Sequence, residues 1–145
     1  MLTNNLPRHD PAQNGAKTPL AGQRILVAED EGLIALELER MLEDFGCDVV
    51  GPLASVDAVL QAVSDNANGS DFDGALLDVN LRGRRIFEIL PALQELGLRF
   101  ILTSGYDDAS LFPAPFRAVP RIAKPFDERA LRRLCERIFA RPAMS

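Results

Sequence analysis

Gly74-Ala75-Leu76-Leu77-Asp78-Val79-Asn80-Leu81-Arg82-Gly83 is a short apolar run that ends on one carboxylate and is followed by turn residues. Such a run reads as a buried strand that delivers Asp78 to its own carboxyl end. In an open parallel sheet that edge is where ligands bind, because the loops there leave a crevice that the covering helices do not fill. An isolated aspartate after a strand is ordinarily a helix cap or a turn residue. Here three further stretches point to the same edge: Val27-Ala28-Glu29-Asp30-Glu31, Leu102-Thr103-Ser104-Gly105-Tyr106 and Ile122-Ala123-Lys124-Pro125-Phe126.

Outward from this run, short apolar stretches alternate with helical periods. Arg24 to Ala28 predicts a first strand, and Ile34, Leu38, Met41, Leu42 and Phe45 fall at helical spacing before Gly46. Cys47 to Gly51 predicts a second strand, and Ser55 a cap for a helix with Val56, Val59, Leu60 and Val63 inward. Phe72 to Asp78 is the third strand, followed after Gly83 by a helix presenting Ile86, Phe87, Ile89, Leu90, Leu93 and Leu96, with Pro91 delaying or bending it. Leu98 to Ser104 is the fourth strand and Val119 to Ala123 the fifth. Asp127 caps a last helix that buries Leu131, Leu134, Cys135, Ile138 and Phe139. Between the last two strands, Pro113 and Pro115 prevent a long regular helix, so an irregular or shortened fourth helix is expected. The fold class is α/β, a right-handed doubly wound five-stranded parallel sheet.

Residues 1–22 carry Asn, Pro, Gly, Thr and Gln without an apolar period, so a flexible tail is expected there and one domain over 23–145. His9, the only histidine, lies in that tail without partners for acid-base or metal chemistry. The formal charge of −5 argues against direct binding of nucleic acid, which needs a concentrated basic surface. Arg121, Arg129, Arg132, Arg133 and Arg137 read as a solvated helix face. Cys47 and Cys135 each sit in an apolar-periodic segment and read as two buried thiols. With no long apolar span and no signal-peptide core, no membrane association and a cytoplasmic location are expected.

On the predicted sheet Glu29, Asp30, Asp78, Ser104 and Lys124 share one edge. Clustered carboxylates repel unless a cation sits among them, and a hard oxygen-binding ion such as Mg²⁺ is the natural one. These motifs together resemble the receiver domains of two-component response regulators over Gln23 to Ala140. The flavodoxin-like receiver fold is implied with them. The resemblance implies that Asp78 is phosphorylated by a sensor histidine kinase or a histidine phosphotransfer protein. It also implies that Asp30 binds Mg²⁺ directly, Glu29 through water, and Asn80 through its backbone carbonyl. Lys124 would bridge the acceptor and the phosphoryl group, with a cis bond to Pro125.

Leu81-Arg82-Gly83 and Gly105-Tyr106 further resemble the single-domain receivers nicknamed FAT GUY, a register that puts the switch hydroxyl on Ser104, with Thr103 the alternative one residue earlier. Arg121 stands where many receivers carry a switch aromatic, and Tyr106 is the nearest replacement in sequence. With the chain ending shortly after its last helix, the expectation is a stand-alone phosphoacceptor rather than an enzyme on other substrates. It would act through a downstream protein, as a monomer or weak homodimer. Two other readings are a degenerate receiver that only binds proteins, and an aspartyl-phosphate hydrolase of the haloacid dehalogenase type. The latter usually has a second acid two residues after the nucleophile, where this chain has Asn80.

Overall fold

The computed structural model describes residues 19–105 and 112–140. Five parallel strands form one sheet: β1 Arg24–Ala28, β2 Asp48–Leu53, β3 Gly74–Asp78, then β6 Phe100–Ser104 and β7 Arg121–Ala123. Between β3 and β6, β4 Asn80–Leu81 and β5 Arg84–Arg85 make a small antiparallel hairpin. The helices are α1 Gly32–Asp44, α2 Val56–Asp65, α3 Leu90–Glu95 and α4 Glu128–Phe139. Strand order is β2-β1-β3-β6-β7, so the order reverses beside β1 and β3, the switch point at which open α/β sheets bind ligands.

Side-chain alternation along the strands divides the core in two. Leu26, Ala28, Ala75, Leu77 and Leu102 pack on the face covered by α2, α3 and the phenylalanines Phe112 and Phe116. Ile25, Val27, Leu76 and Ile101 pack on the other face, against Leu38, Met41, Leu42 and Phe45 of the α1 region and Leu131, Cys135 and Phe139 of α4. Every residue of β3 and β6 is buried, which accounts for the unbroken apolar runs that identify them. Both cysteines are buried free thiols, and burial pushes the Cys47 thiol up to about 12. No described helix is long and apolar enough to cross a membrane.

Several elements differ from the sequence reading. Leu20 is buried beside Met41 and Phe45, and the Gly22 amide donates to Gly46 O at 2.8 Å, so packing begins before Gln23; residues 1–18, His9 included, lie outside the described residues. The helix expected after Gly83 starts only at Leu90, because the hairpin and a 3₁₀ turn over Ile86–Glu88 come first and Pro91, lacking an amide proton, is accommodated in the first turn. Leu96 is 46% exposed because α3 has ended. Leu60 is 38% exposed; at 3.6 residues per turn it lies about 40° to one side of Val56, on the flank of the Val56, Val59 and Val63 stripe. Ser55 and Asp127 cap α2 and α4 by accepting from the amides of Ala58 and Ala130. Between β6 and β7 the described residues hold a single 3₁₀ turn, Ala114–Phe116, as the two prolines imply; residues 106–111 lie outside the description.

Gly74, at the start of β3, sits directly against the ring of Phe139, and a Cβ there would overlap that ring. Gly74→Ala is therefore expected to cost about 1–3 kcal/mol through overpacking. Urea denaturation measures this, and an unchanged midpoint would show that α4 does not close on β3 this tightly.

Candidate functional site

The carboxyl ends of β1, β3 and β7 converge on one small set of charges. Glu29 follows β1 and stays tied to the sheet edge, its amide donating to Leu53 O at 2.9 Å. Its Oε2 accepts the Glu31 amide at 3.0 Å, and its Oε1 lies 2.7 Å from Lys124 Nζ, the distance of an ion pair. Asp78, the last residue of β3, accepts the Asn80 amide on Oδ1 at 3.2 Å and Lys124 Nζ on Oδ2 at 2.9 Å. Asp30 Oδ2 accepts the Arg82 amide at 2.8 Å. Lys124 follows β7; its amide donates to Ser104 O at 2.8 Å and its bond to Pro125 is cis. One ammonium thus holds two buried carboxylates.

Glu29, Asp30 and Asp78 each offer an oxygen, all within 4.8 Å of one another. Oxygens on opposite sides of a magnesium ion stand about 4.2 Å apart, so slight side-chain adjustment would bring this set onto one hard cation. The charges agree with that. Three carboxylates against one ammonium leave an excess of two negative charges, which a divalent cation would cancel. Burial, with Glu29 nearby, pushes the Asp78 carboxyl up to about 6, while the hydrogen bonds from Lys124 and Asn80 hold it from rising further. Burial pulls the Lys124 ammonium down, but its bonds to Glu29 and Asp78 outweigh this and set it above the ordinary lysine value, so it stays charged. The set opens into a cleft of about 240 Å³ lined by Asp30, Glu31, Asp78, Asn80, Gly83 and Gly105 as well as Lys124.

The two hydroxyls at the end of β6 differ. Thr103 pairs with Asp78 across the sheet, is fully buried, and its Oγ1 has no hydrogen-bond partner among the described residues. Ser104, 4% exposed, is the last residue of β6, and its carbonyl accepts from Lys124. Tyr106 lies outside the described residues. Arg121 places its guanidinium 4.4 Å from the centre of the Phe112 ring, so the position is occupied by a cation held on an aromatic face.

All six residues singled out from the sequence come to this one edge. What the sequence reading missed is backbone. The amides of Glu31 and Arg82 hold two of the acids, and the second is presented by the β4–β5 hairpin, whose turn has Arg82 at φ 51° and Gly83 at φ 84°. Asn80 Oδ1 closes that turn by accepting the Gly83 amide at 3.0 Å, and Arg84 anchors the hairpin to Asp57 of α2 and to Glu88. The Asn80-to-Gly83 spacing was the available signal, since an Asn side chain capping a turn three residues on is a recurrent local motif.

Solved structures share this fold. The solution structure of SdrG from Sphingomonas melonis Fr1 is 34% identical, with a TM-score of 0.68 over 80% of this chain and 93% of that one. The BeF3-activated conformation of SdrG from Pseudomonas melonis Fr1 is 35% identical, with a TM-score of 0.65 over 80% and 96%. The signal receiver domain of a modulated diguanylate cyclase from Desulfovibrio desulfuricans G20 is 27% identical, with a TM-score of 0.69 over 81% and 94%. No protein-family model and no curated protein sequence matches the chain.

Proposed function

This chain belongs to the receiver family of response regulators, and on that premise we propose that it accepts a phosphoryl group on Asp78 from a histidine kinase or histidine phosphotransfer protein, with Mg²⁺, and signals by phosphorylation-dependent protein binding. The observation that carries the reading is the pairing of Lys124 Nζ with both Asp78 and Glu29, while Asp30 completes a three-carboxylate set around the same cleft.

A carboxylate oxygen of Asp78 forms a bond to phosphorus as the donor's nitrogen–phosphorus bond breaks and the imidazole leaves with a proton. Glu29, Asp30, Asp78 and the carbonyl of Asn80 would hold Mg²⁺, which supplies charge neutralisation at the phosphoryl oxygens. Lys124 is already fixed on the acceptor and can follow a phosphoryl oxygen without reorganisation, the condition under which an ion pair contributes most to a transition state. The Asn80 amide orients the carboxylate. Ser104 donates its hydroxyl to the bound phosphoryl group, and Thr103, whose buried hydroxyl has no partner among the described residues, is the alternative.

The donor also needs a docking surface. Leu33 and Leu36 of α1 are 86% and 62% exposed, and beside them Glu31, Ile34 and Glu37 meet Lys124, Pro125 and Phe126 in a cleft of about 360 Å³. Exposed leucines at helical spacing beside the acceptor suit a helical donor domain.

Incubation with a small phosphoryl donor such as acetyl phosphate and Mg²⁺ tests the acceptor role. The intact protein should gain the mass of one phosphoryl group, and none in excess chelator; gain despite chelation would refute metal dependence. Ser104→Ala should still take up the group but lose the change in amide exchange over 112–123 that it causes in the wild type. The same loss in Thr103→Ala, with Ser104→Ala behaving as wild type, would move the switch hydroxyl to Thr103.

A further inference from the structure

The amide that holds Asp30 belongs to a strained residue at the tip of a small hairpin. Arg82 has φ 51°, in the left-handed region that a residue with a Cβ adopts only at a cost. Such a conformation persists where the surroundings fix it. β4 and β5 have two residues each, Asn80 pairing with Arg85 and Leu81 with Arg84, too few to hold the turn between them. β4 is anchored by Leu81, which is buried in the core. The side chains of β5 are both exposed, and what ties that strand down near the tip is the guanidinium of Arg84.

Arg84 donates to Asp57 Oδ1 at 2.9 Å and also to Glu88 Oε1. Asp57 stands in the first turn of α2, a helix seated by buried Val56, Val59 and Val63 and capped by Ser55. A run of bonds and backbone thus leads from α2 through Arg84 and the Arg82 amide to Asp30, which lines the cleft and offers an oxygen within 4.8 Å of those of Glu29 and Asp78. Arg85, the next residue, forms no ion pair among the described residues.

We propose that Arg84 is a positioning residue for the metal site: by tying β5 to α2 it keeps the Arg82 amide on Asp30 and so fixes the orientation of that carboxylate before a divalent cation arrives. The proposal rests on the reading of Glu29, Asp30 and Asp78 as a magnesium site. Hydrogen bonds that orient a ligand carboxylate raise the affinity for the metal. Charge alone predicts the opposite sign, since deleting a cation from the hairpin would tighten the binding of Mg²⁺.

The test titrates Mg²⁺ into the full chain by calorimetry. Arg84→Ala should bind Mg²⁺ about three- to tenfold more weakly, one step short of the effect of deleting a direct partner of a ligand. Arg85→Ala removes the same charge and no bond, and its affinity should stay within about twofold of the wild type or be tighter. Arg84→Lys keeps the charge and can reach one of the two carboxylates, so it should fall between wild type and Arg84→Ala. In the metal-free protein, exchange of the Arg82 amide, followed by NMR, should be at least about threefold faster in Arg84→Ala and unchanged in Arg85→Ala. The urea midpoints should be nearly the same, because exposed ion pairs contribute little to global stability. Unchanged or tighter Mg²⁺ binding by Arg84→Ala, or equal weakening in Arg85→Ala, overturns the proposal and leaves the metal site standing. Weaker binding with unchanged Arg82 exchange overturns it too, since the effect then bypasses the hairpin, and so does a large fall in the midpoint, which would make Arg84 a general support of the fold. A wild type that binds no Mg²⁺ refutes the magnesium reading itself, and the proposal with it.

Discussion

Asp78→Asn is expected to reduce phosphoryl uptake to background and, at the same time, to make the metal-free protein more stable. The loss of uptake follows because an amide is not a nucleophile toward phosphorus and the other acids stand at the wrong positions in the cleft. The gain in stability comes from electrostatics. Asp78 is buried and its carboxyl is raised to about 6, so at neutral pH its charged form is disfavoured in the fold. A carboxyl raised on folding binds more protons in the native than in the unfolded state, so its contribution to stability falls as pH rises between about 4 and 6. Above that window the charge costs on the order of 1–3 kcal/mol before screening at the cleft mouth, which reduces it. Asn has nearly the same shape and no charge; its one oxygen can keep the bond from Lys124, while its NH2 then faces the Asn80 amide, which offsets part of the gain. Urea unfolding in chelator at pH 7.5 should show the variant more stable than wild type, with the difference shrinking toward pH 4. A variant less stable than wild type at pH 7.5 would mean that the Lys124 pair outweighs the burial of the carboxylate, and uptake at the wild-type level would remove Asp78 as acceptor.

Lys124→Met should be the most damaging single change to the metal-free fold. The side chain of Glu29 is fully buried and that of Asp78 is 5% exposed, and Lys124 Nζ contacts both. Removing the ammonium leaves two carboxylates facing each other without a cation, a loss of about 3–5 kcal/mol by analogy with broken buried ion pairs. The deficit should be smaller at pH 5 than at pH 8, because the repulsion falls when Asp78, whose carboxyl burial pushes up to about 6, takes up a proton. Millimolar Mg²⁺ should restore part of it by supplying the missing positive charge. Phosphoryl uptake should fall about 10²- to 10³-fold, the typical effect of removing one preorganised electrostatic group. Unfolding curves with and without Mg²⁺ at the two pH values decide this: a loss below about 1 kcal/mol, or one independent of pH, would show that solvent already screens the cluster.

Much of this was legible in the sequence because its signals are local and strong. A strand buried on both faces must be continuously apolar, so Gly74 to Asp78 and Phe100 to Ser104 declare themselves, and each ends on a polar residue at the carboxyl edge of the sheet. Helix stripes are equally plain where several turns repeat, as in α1 and α4. Two of the differences, at Leu60 on the flank of α2 and at Leu96 beyond the end of α3, arose where the period had too few turns to define a face.

Tertiary structure decided what depends on distance between separate segments. That Lys124 bonds Asp78 across 46 residues, that the Arg82 amide reaches Asp30 across 52, and that Arg121 lies on Phe112 are consequences of strand order and of one hairpin. The hairpin itself has no apolar alternation to announce it: two residues per strand are too few for a period, and its contacts with Asp30 and Asp57 exist only after the sheet has formed. By itself the sequence determined which chemical groups meet at the edge, since burial forces the strands into the sheet. Which atoms of those groups touch was decided by packing, because a hydrogen bond needs placement to a few tenths of an ångström that no pattern of residue types encodes.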